Sequence, residues 1–428
     1  MMDMYRAVTL GDLLRERRTT LGLTMREVAG STLSPTAVNN IEKGKINPTI
    51  DTVLYLCQVL QLQPEKVLLF YPDFAKTAGV LFTRIDEMVA SGETDDALTL
   101  LYDMYWVAAE LPDHEQHTAE IQFKISQVFA DNGRFDSATT AMTDAYKLFI
   151  LTKNYPRQVD AVCALAVFSK TEGQLQRALG VYTTALELAY RHQLFTRVTS
   201  ILMEMAQIHM ECVEQQEAIV LCNQAELVYD NLRDAEGKAR AKFLRAQALA
   251  EIGKLQQALE AADAARSHFQ ATGDQQRLTE ASRLLGEIYS GLHDYAQARE
   301  HYLQALALAE SAAPDELHRA KGGLASLSLQ QQEPERAREH ALEALSGLQQ
   351  PRDRSKLYCI LAGCDLQDGN TDGYKTYMHQ AVTTLQEAGD TCSAALIQCE
   401  LADQTDDLEL LRDGVRKLRQ VIVARKRI

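Results

Sequence analysis

From about residue 80 onward, apolar residues recur every three or four positions without a break, the period of amphipathic helices packed against one another. No alternating, β-branched run interrupts them, so the pattern predicts an all-α chain. A second, longer period lies on top of the first. A small residue returns at Ala97, Ala138, Ala178, Ala218, Ala258, Ala298 and Ala337, at spacings of 39 to 41 residues. Seven residues later come Ala145, Ala185, Ala225, Ala265, Ala305 and Ala344, and twelve residues earlier Ser126, Ala166, Ala206, Ala246, Gly286 and Ala325. Five residues before the marker a glycine often appears (Gly92, Gly133, Gly173, Gly253). Small side chains at fixed helical positions let antiparallel helices approach closely, and the glycine lets the chain reverse between them. The pattern therefore predicts stacked helix pairs over 81–407, with a weaker eighth unit on Ala362, Gly369, Tyr374 and Ala381. Residues 408–428 read as a final helix, basic and apolar, that caps the array or mediates dimerisation.

The first 70 residues follow a different pattern of five short helices cut by capping signals. Thr9 caps a helix carrying Leu10, Leu13 and Leu14 that ends near Gly22. Thr24 and Glu27 form a capping box for a second, and Ser34-Pro35 opens a third that stops at Gly44. Thr49 caps a fourth, with Val53, Leu54, Leu56, Cys57 and Leu60 on its apolar face, and Pro64 starts a fifth. Residues 71–80 read as a linker. Two short helices joined by the tight turn Gly30–Leu33 form the arrangement that sets the second one into a DNA major groove. The third helix has Val38 and Ile41 on its apolar side. Its other side carries Pro35, Thr36, Asn39, Asn40 and Lys43; asparagine pairs bidentately with adenine, and threonine touches the thymine methyl. Lys43, Lys45, Arg15, Arg17 and Arg18 suit phosphates. Ser34 and the pair Met25 and Arg26, which open the third and second helices, complete the candidate DNA-binding set.

Composition changes this picture in two ways. With 46% hydrophobic and 24% charged residues the chain is of globular type, no apolar run is long enough to span a bilayer, and the N-terminus lacks the pattern of a signal peptide; a cytoplasmic protein with no membrane partner is expected. The net charge of −15 is unevenly spread. Residues 1–72 carry eight bases and seven acids, and residues 411–428 seven bases and one acid, leaving −22 for the middle. An acidic groove in the array would favour a cationic or apolar ligand. The eight cysteines show no paired metal spacing and read as small buried thiols, and no nucleophile, metal or phosphate-loop motif is present; no cofactor, metal or enzymatic activity is expected.

Taken together, Gly22-Leu23-Thr24, Leu33 to Gly44 and Asn47-Pro48-Thr49 resemble the phage-repressor (Cro-like, XRE-type) helix-turn-helix. The resemblance implies that Pro35, Thr36, Asn39 and Asn40 face bases. It also puts Met25 where that family often has a glutamine contacting the DNA backbone. A helix-turn-helix retained only for assembly is the alternative. The array resembles a tetratricopeptide solenoid, a right-handed superhelix whose first helices line a concave groove. Eleven residues before each marker stand Gln127, Val167, Gln207, Gln247 and Glu287, a glutamine-rich row able to bond an extended peptide backbone. Fifteen before stand Phe123, Cys163, Met203, Phe243 and Arg283, and eighteen before Glu120, Asp160, Ser200, Arg240 and Glu280. The candidate peptide-binding residues are Gln127, Met203, Gln207, Arg240, Phe243, Gln247, Arg283 and Glu287, with Asn223 on a second helix.

By architecture the whole chain resembles the peptide-pheromone-sensing (RRNPP) regulators. That implies a homodimer that binds operator DNA and is controlled allosterically by a short signalling peptide in the groove, as in quorum sensing. A scaffold that recruits a protein partner to DNA is the other reading.

Overall fold

The computed structural model describes residues 9–112, 114–312 and 314–426; the first eight residues, on which the signal-peptide reading rests, lie outside them. Every regular element described is helical. The five N-terminal helices are α1 (Leu10–Thr20), α2 (Met25–Ala29), α3 (Pro35–Glu42), α4 (Ile50–Leu60) and α5 (Pro64–Leu68). The caps lie where the sequence puts them. Thr9 and Thr24 each accept from the third residue of their helix, whose carboxylate reaches back in a capping box. The Ser34 and Thr49 side chains accept from the Ala37 and Thr52 amides.

The linker expected over 71–80 is not there. The chain re-enters helix at Phe74, in α6 (Phe74–Ala90), and Phe74, Thr77, Leu81 and Ile85 are buried. These side chains continue the core of Val67, Leu68 and Leu69, so one apolar core runs from Leu10 through to Phe168. The Tyr71 hydroxyl donates to the Pro48 carbonyl at 2.8 Å, fastening the stretch between α5 and α6 to the loop after α3. Apolar residues at the junction exclude the solvated backbone a flexible linker needs. The chain accordingly divides into two compact units at Leu194/Phe195, far from the 70–80 boundary that the change in helix pattern suggested.

The first unit continues with α7 (Thr94–Ala109), α8 (His114–Asp131), α9 (Phe135–Leu151), α10 (Tyr155–Thr171) and α11 (Leu175–Arg191). The second holds α12 (Phe195–Glu211), α13 (Gln215–Leu232), α14 (Ala235–Glu251), α15 (Leu255–Thr272), α16 (Gln275–Gly291), α17 (Tyr295–Ala312), α18 (Pro314–Gln330), α19 (Pro334–Gly347), α20 (Pro351–Gln367), α21 (Thr371–Glu387), α22 (Thr391–Thr405) and α23 (Leu408–Lys426). Consecutive helices pair, and the marker alanines lie at the closest approaches with no exposed surface: Ala97, Ala138, Ala178, Ala218, Ala258, Ala298 and Ala337 are all 0% exposed. A side chain larger than methyl there would push the helices apart, which explains the period. The final helix joins this scheme, since α23 packs against α22: Gln398 donates to Asp413, and Lys417 donates back to Gln398.

The turn inside each pair needs a left-handed residue. Gly92, Gly133, Gly173 and Gly253 supply it at φ between 72° and 86°, whereas Val213, His293 and Gln332 adopt the same conformation without being glycine. Ion pairs stitch the first helices of successive pairs: Arg157 with Glu120, Arg277 with Glu236, and Arg319 with Asp353.

Candidate DNA-binding and ligand-binding sites

The helix-turn-helix is built around α3. Val38 and Ile41 bury its inner side; Ser34, Pro35, Thr36, Lys43 and Lys45 are exposed, and Asn39 and Asn40 are half-buried beside them. Arg26 on α2 is exposed. Ser34 spends its hydroxyl on the cap. Met25 is half-buried against the apolar core, so it anchors the start of α2 instead of presenting a polar group.

Arg17 and Arg18 were expected to face phosphates, and their side chains are engaged internally. Arg17 donates through Nε to the Leu60 carbonyl at 3.1 Å, closing the C-terminus of α4. Arg18 grips Glu42, the last residue of α3, with Nε to Oε1 at 2.6 Å and Nη2 to Oε2 at 2.9 Å, and donates Nη1 to the Leu23 carbonyl. The pair is sheltered, with side-chain exposures of 13% and 4%, and the hydrogen bonds to Glu42 hold the guanidinium above its ordinary range. Arg15, the third of the cluster, is paired with Asp12 at 2.7 Å. A buried carboxylate at the end of the recognition helix requires a buried cation, and the i, i+3 register of α1 puts Arg15 and Arg18 on adjacent positions of one side. Gly11 allows the contact: a Cβ there would lie 2.6 Å from the Glu42 carbonyl oxygen. Of the candidate phosphate contacts, Arg15, Arg26, Lys43 and Lys45 are exposed, Arg15 with its guanidinium already paired to Asp12.

In the second unit the first helices enclose a cavity of about 800 Å³ that includes Gln207, Gln247, Arg283 and Glu287 in its lining. An adjoining cavity of about 350 Å³ shares Gln207, Gln247 and Arg283 and adds Met203, Arg240 and Phe243. Seven of the nine candidate ligand residues are thus brought together. Gln127 lines a separate cavity of about 550 Å³ in the first unit, with Lys124, Phe135 and Val167. Asn223 is exposed on α13, a second helix, and lines none of these three cavities.

Extending the same registers one unit further would have found more of the lining. Arg319, Gly322 and Ser326 lie eighteen, fifteen and eleven residues before Ala337, and all three face the large cavity. Tyr302 was not legible in this way. It is buried from a second helix, in a slot where a Cβ on Gly286 or Gly323 would meet its ring at 2.7 or 2.2 Å.

The expected acidic groove is also corrected. Across the two adjoining cavities Arg240, Arg277, Arg283, Arg319, Arg352 and Lys356 balance Glu211, Glu251, Glu280, Glu287, Glu316 and Asp353. The acidic excess of the sequence therefore lies away from these walls. Arg283 sits at the centre, bonded to Glu316 at 2.8 Å and Glu287 at 2.5 Å; burial opposes its charge, but the two carboxylates outweigh it and raise its pKa. Arg352 donates to Asp390 and to the Glu211 carbonyl, linking α20 to α12 across the cavity they both line.

Residues 9–70 match the family of helix-turn-helix domains. The class defined by fold and site is therefore a helix-turn-helix protein carrying a tetratricopeptide-like array. Solved structures of similar fold include the apo form of RapI (TM-score 0.54, 13% identity, covering 82% of this chain and 98% of that one). A Rap protein complexed with Competence and Sporulation Factor has a TM-score of 0.52 at 14% identity, covering 82% of this chain and 99% of that one. The apo quorum sensor NprR from B. thuringiensis has a TM-score of 0.51 at 15% identity, again covering 82% and 99%. No curated protein sequence matches significantly. At these identities the likeness shows the fold. Among the described residues no helix is long and apolar enough to cross a membrane, and no cluster of His, Cys, Asp or Glu is placed to hold a metal.

Proposed function

We propose that this protein is a transcription regulator that binds operator DNA as a dimer through α3 and is controlled by a short peptide bound in the cavity of its repeat array. The observation that carries this is the pairing, in one chain, of a helix-turn-helix domain with an exposed reading surface and a repeat array whose first helices enclose a glutamine-lined cavity. Pro35, Thr36, Asn39 and Asn40 read bases, and Arg26, Lys43 and Lys45 hold phosphates. Gln207 and Gln247 bond the peptide backbone, and Met203 and Phe243 form side-chain pockets. A near-neutral domain neutralises few phosphates, so two copies at fixed spacing are needed for tight binding, and a ligand that alters the spacing regulates it. The protein acts in the cytoplasm and catalyses no reaction.

Selection of bound sequences from random duplex DNA tests the first half. Wild type yields a two-fold-symmetric site, and Asn39→Ala/Asn40→Ala loses sequence preference while keeping its fold. Retention of the same site by the double variant would remove α3 as the reader. A scaffold function would instead leave operator affinity indifferent to any peptide.

A further inference from the structure

The two adjoining cavities of the second unit differ in chemistry. The larger mixes apolar side chains, among them Met210, Leu284, Leu357 and Ile360, with four bases and four acids that balance. The smaller carries four arginines, Arg240, Arg277, Arg283 and Arg319, against two acids, Glu280 and Glu316. Burial, helped by Glu316, raises the Glu280 carboxyl above its ordinary range.

Three of these arginines are paired with carboxylates, Arg277 with Glu236 and Asp274, and Arg283 and Arg319 with Glu287, Glu316 and Asp353, which leaves Arg240 in position to accept an anion. Glu287, Arg283, Glu316, Arg319 and Asp353 form a continuous ladder over three successive first helices, with contacts of 2.5 to 2.8 Å. Each of its two guanidiniums donates through Nε and Nη1 only, so among the described residues Nη2 of both Arg283 and Arg319 makes no hydrogen bond. The ladder holds these donors rigidly, so little side-chain entropy is lost when a ligand meets them. Arg240, at the same cavity, is exposed and has no ion pair among the described residues. An unpaired arginine beside two preorganised N–H groups is the arrangement that receives a carboxylate bidentately.

We propose that the ligand is a peptide that places a carboxylate in this arginine-walled cavity, gripped by Arg240, while apolar side chains occupy the larger one. This inference rests on the peptide-groove reading and specifies its ligand, and it reverses the cationic preference that the sequence charge suggested. The carboxylate is either the peptide's C-terminus or an Asp or Glu side chain.

The test uses the full chain and two synthetic heptapeptide mixtures, randomised over Ala, Leu, Phe, Ser, Asp and Lys. One has free and the other amidated C-termini, and bound species are separated by gel filtration and identified by mass. Carboxylate-bearing peptides are expected to be enriched over lysine-bearing ones. Arg240→Glu is expected to reduce that enrichment about tenfold, and Arg240→Lys to retain most of it. Loss of enrichment on amidation assigns the C-terminal carboxylate, and persistence in Asp-bearing species assigns the side chain. Recovery of peptides without charge preference, or with a preference that Arg240→Glu leaves intact, overturns the inference while leaving the groove reading standing. Recovery of no peptide from either mixture overturns both.

Discussion

Removing the Arg18 guanidinium tests whether this residue builds the recognition helix or touches DNA. Arg18→Ala deletes three donors: two to Glu42 at 2.6 and 2.9 Å and one to the Leu23 carbonyl at 3.1 Å. It leaves the Glu42 carboxylate, 4% exposed, without its cation. Breaking a buried ion pair from one side costs about 3–5 kcal/mol, and the 13% exposure of Arg18 lets water reach the gap and places the value near the lower end, about 3 kcal/mol. Amide hydrogen exchange across α3 should then quicken about a hundredfold, while exchange in the second unit is unchanged. The double variant Arg18→Leu/Glu42→Leu, which replaces both charges by apolar groups, should recover most of the loss. A phosphate-contacting Arg18 gives the opposite signature. Protection of α3 would be unaltered, DNA affinity would fall uniformly over sequences, and the salt slope would drop by about one per copy. That pattern would refute the assignment of Arg18 to the interior.

Further outcomes follow from the same geometry. With Arg26, Lys43 and Lys45 as the phosphate contacts, a dimer neutralises six phosphates, so the logarithm of affinity should fall against the logarithm of salt concentration with a slope of about −5; counting Arg17 and Arg18 as well gives about −9, and fluorescence anisotropy from 50 to 300 mM salt, on the order of one decade, separates the two. Val213→Gly should stabilise the protein by about 0.5–1 kcal/mol in thermal melts, because a β-branched residue at φ 60° gives way to one suited to that conformation. Gly323→Ala should destabilise by about 1–3 kcal/mol and weaken peptide binding, since the new methyl meets Tyr302 in the cavity wall. Glu27 and Asp12 are held below the usual carboxylate range by bonds from Thr24 and Thr9 respectively. Their contribution is present above the ordinary carboxylate values and fades as pH falls through the lowered ones, so α1 and α2 should lose exchange protection on acidification below about pH 4.5; Thr24→Ala should weaken that dependence at α2 without abolishing it, because the larger bond to Glu27 comes from the residue-24 backbone N–H, which alanine keeps.

Much of the architecture was legible because it depends on local chemistry. Thr9, Thr24, Ser34 and Thr49 cap their helices through bonds to residues three positions ahead, a range at which sequence and space are nearly the same thing. The marker alanines were legible for a related reason: a helix pair cannot close on a larger side chain, so the constraint repeats in every unit. The same regularity put seven of the nine candidates on the walls of the two adjoining cavities and, carried one unit further, Arg319, Gly322 and Ser326. Asn223, chosen for its residue type outside any register, lies away from these cavities. The acidic groove failed because a net charge summed over some 340 residues says nothing about which helix face carries it.

The sequence by itself therefore determined the elements, their pairing, the outward face of α3 and the register of each first-helix residue. Only the tertiary structure decided which charges are spent inside. Arg17 and Arg18 look like phosphate contacts until Leu60 and Glu42, 43 and 24 residues away, are seen to claim them. Likewise, the apparent linker at 71–80 became core once Phe74 and Leu81 met Leu68. An ion pair or an apolar contact is fixed by distance in space, and a one-dimensional pattern records that distance only where the fold repeats it.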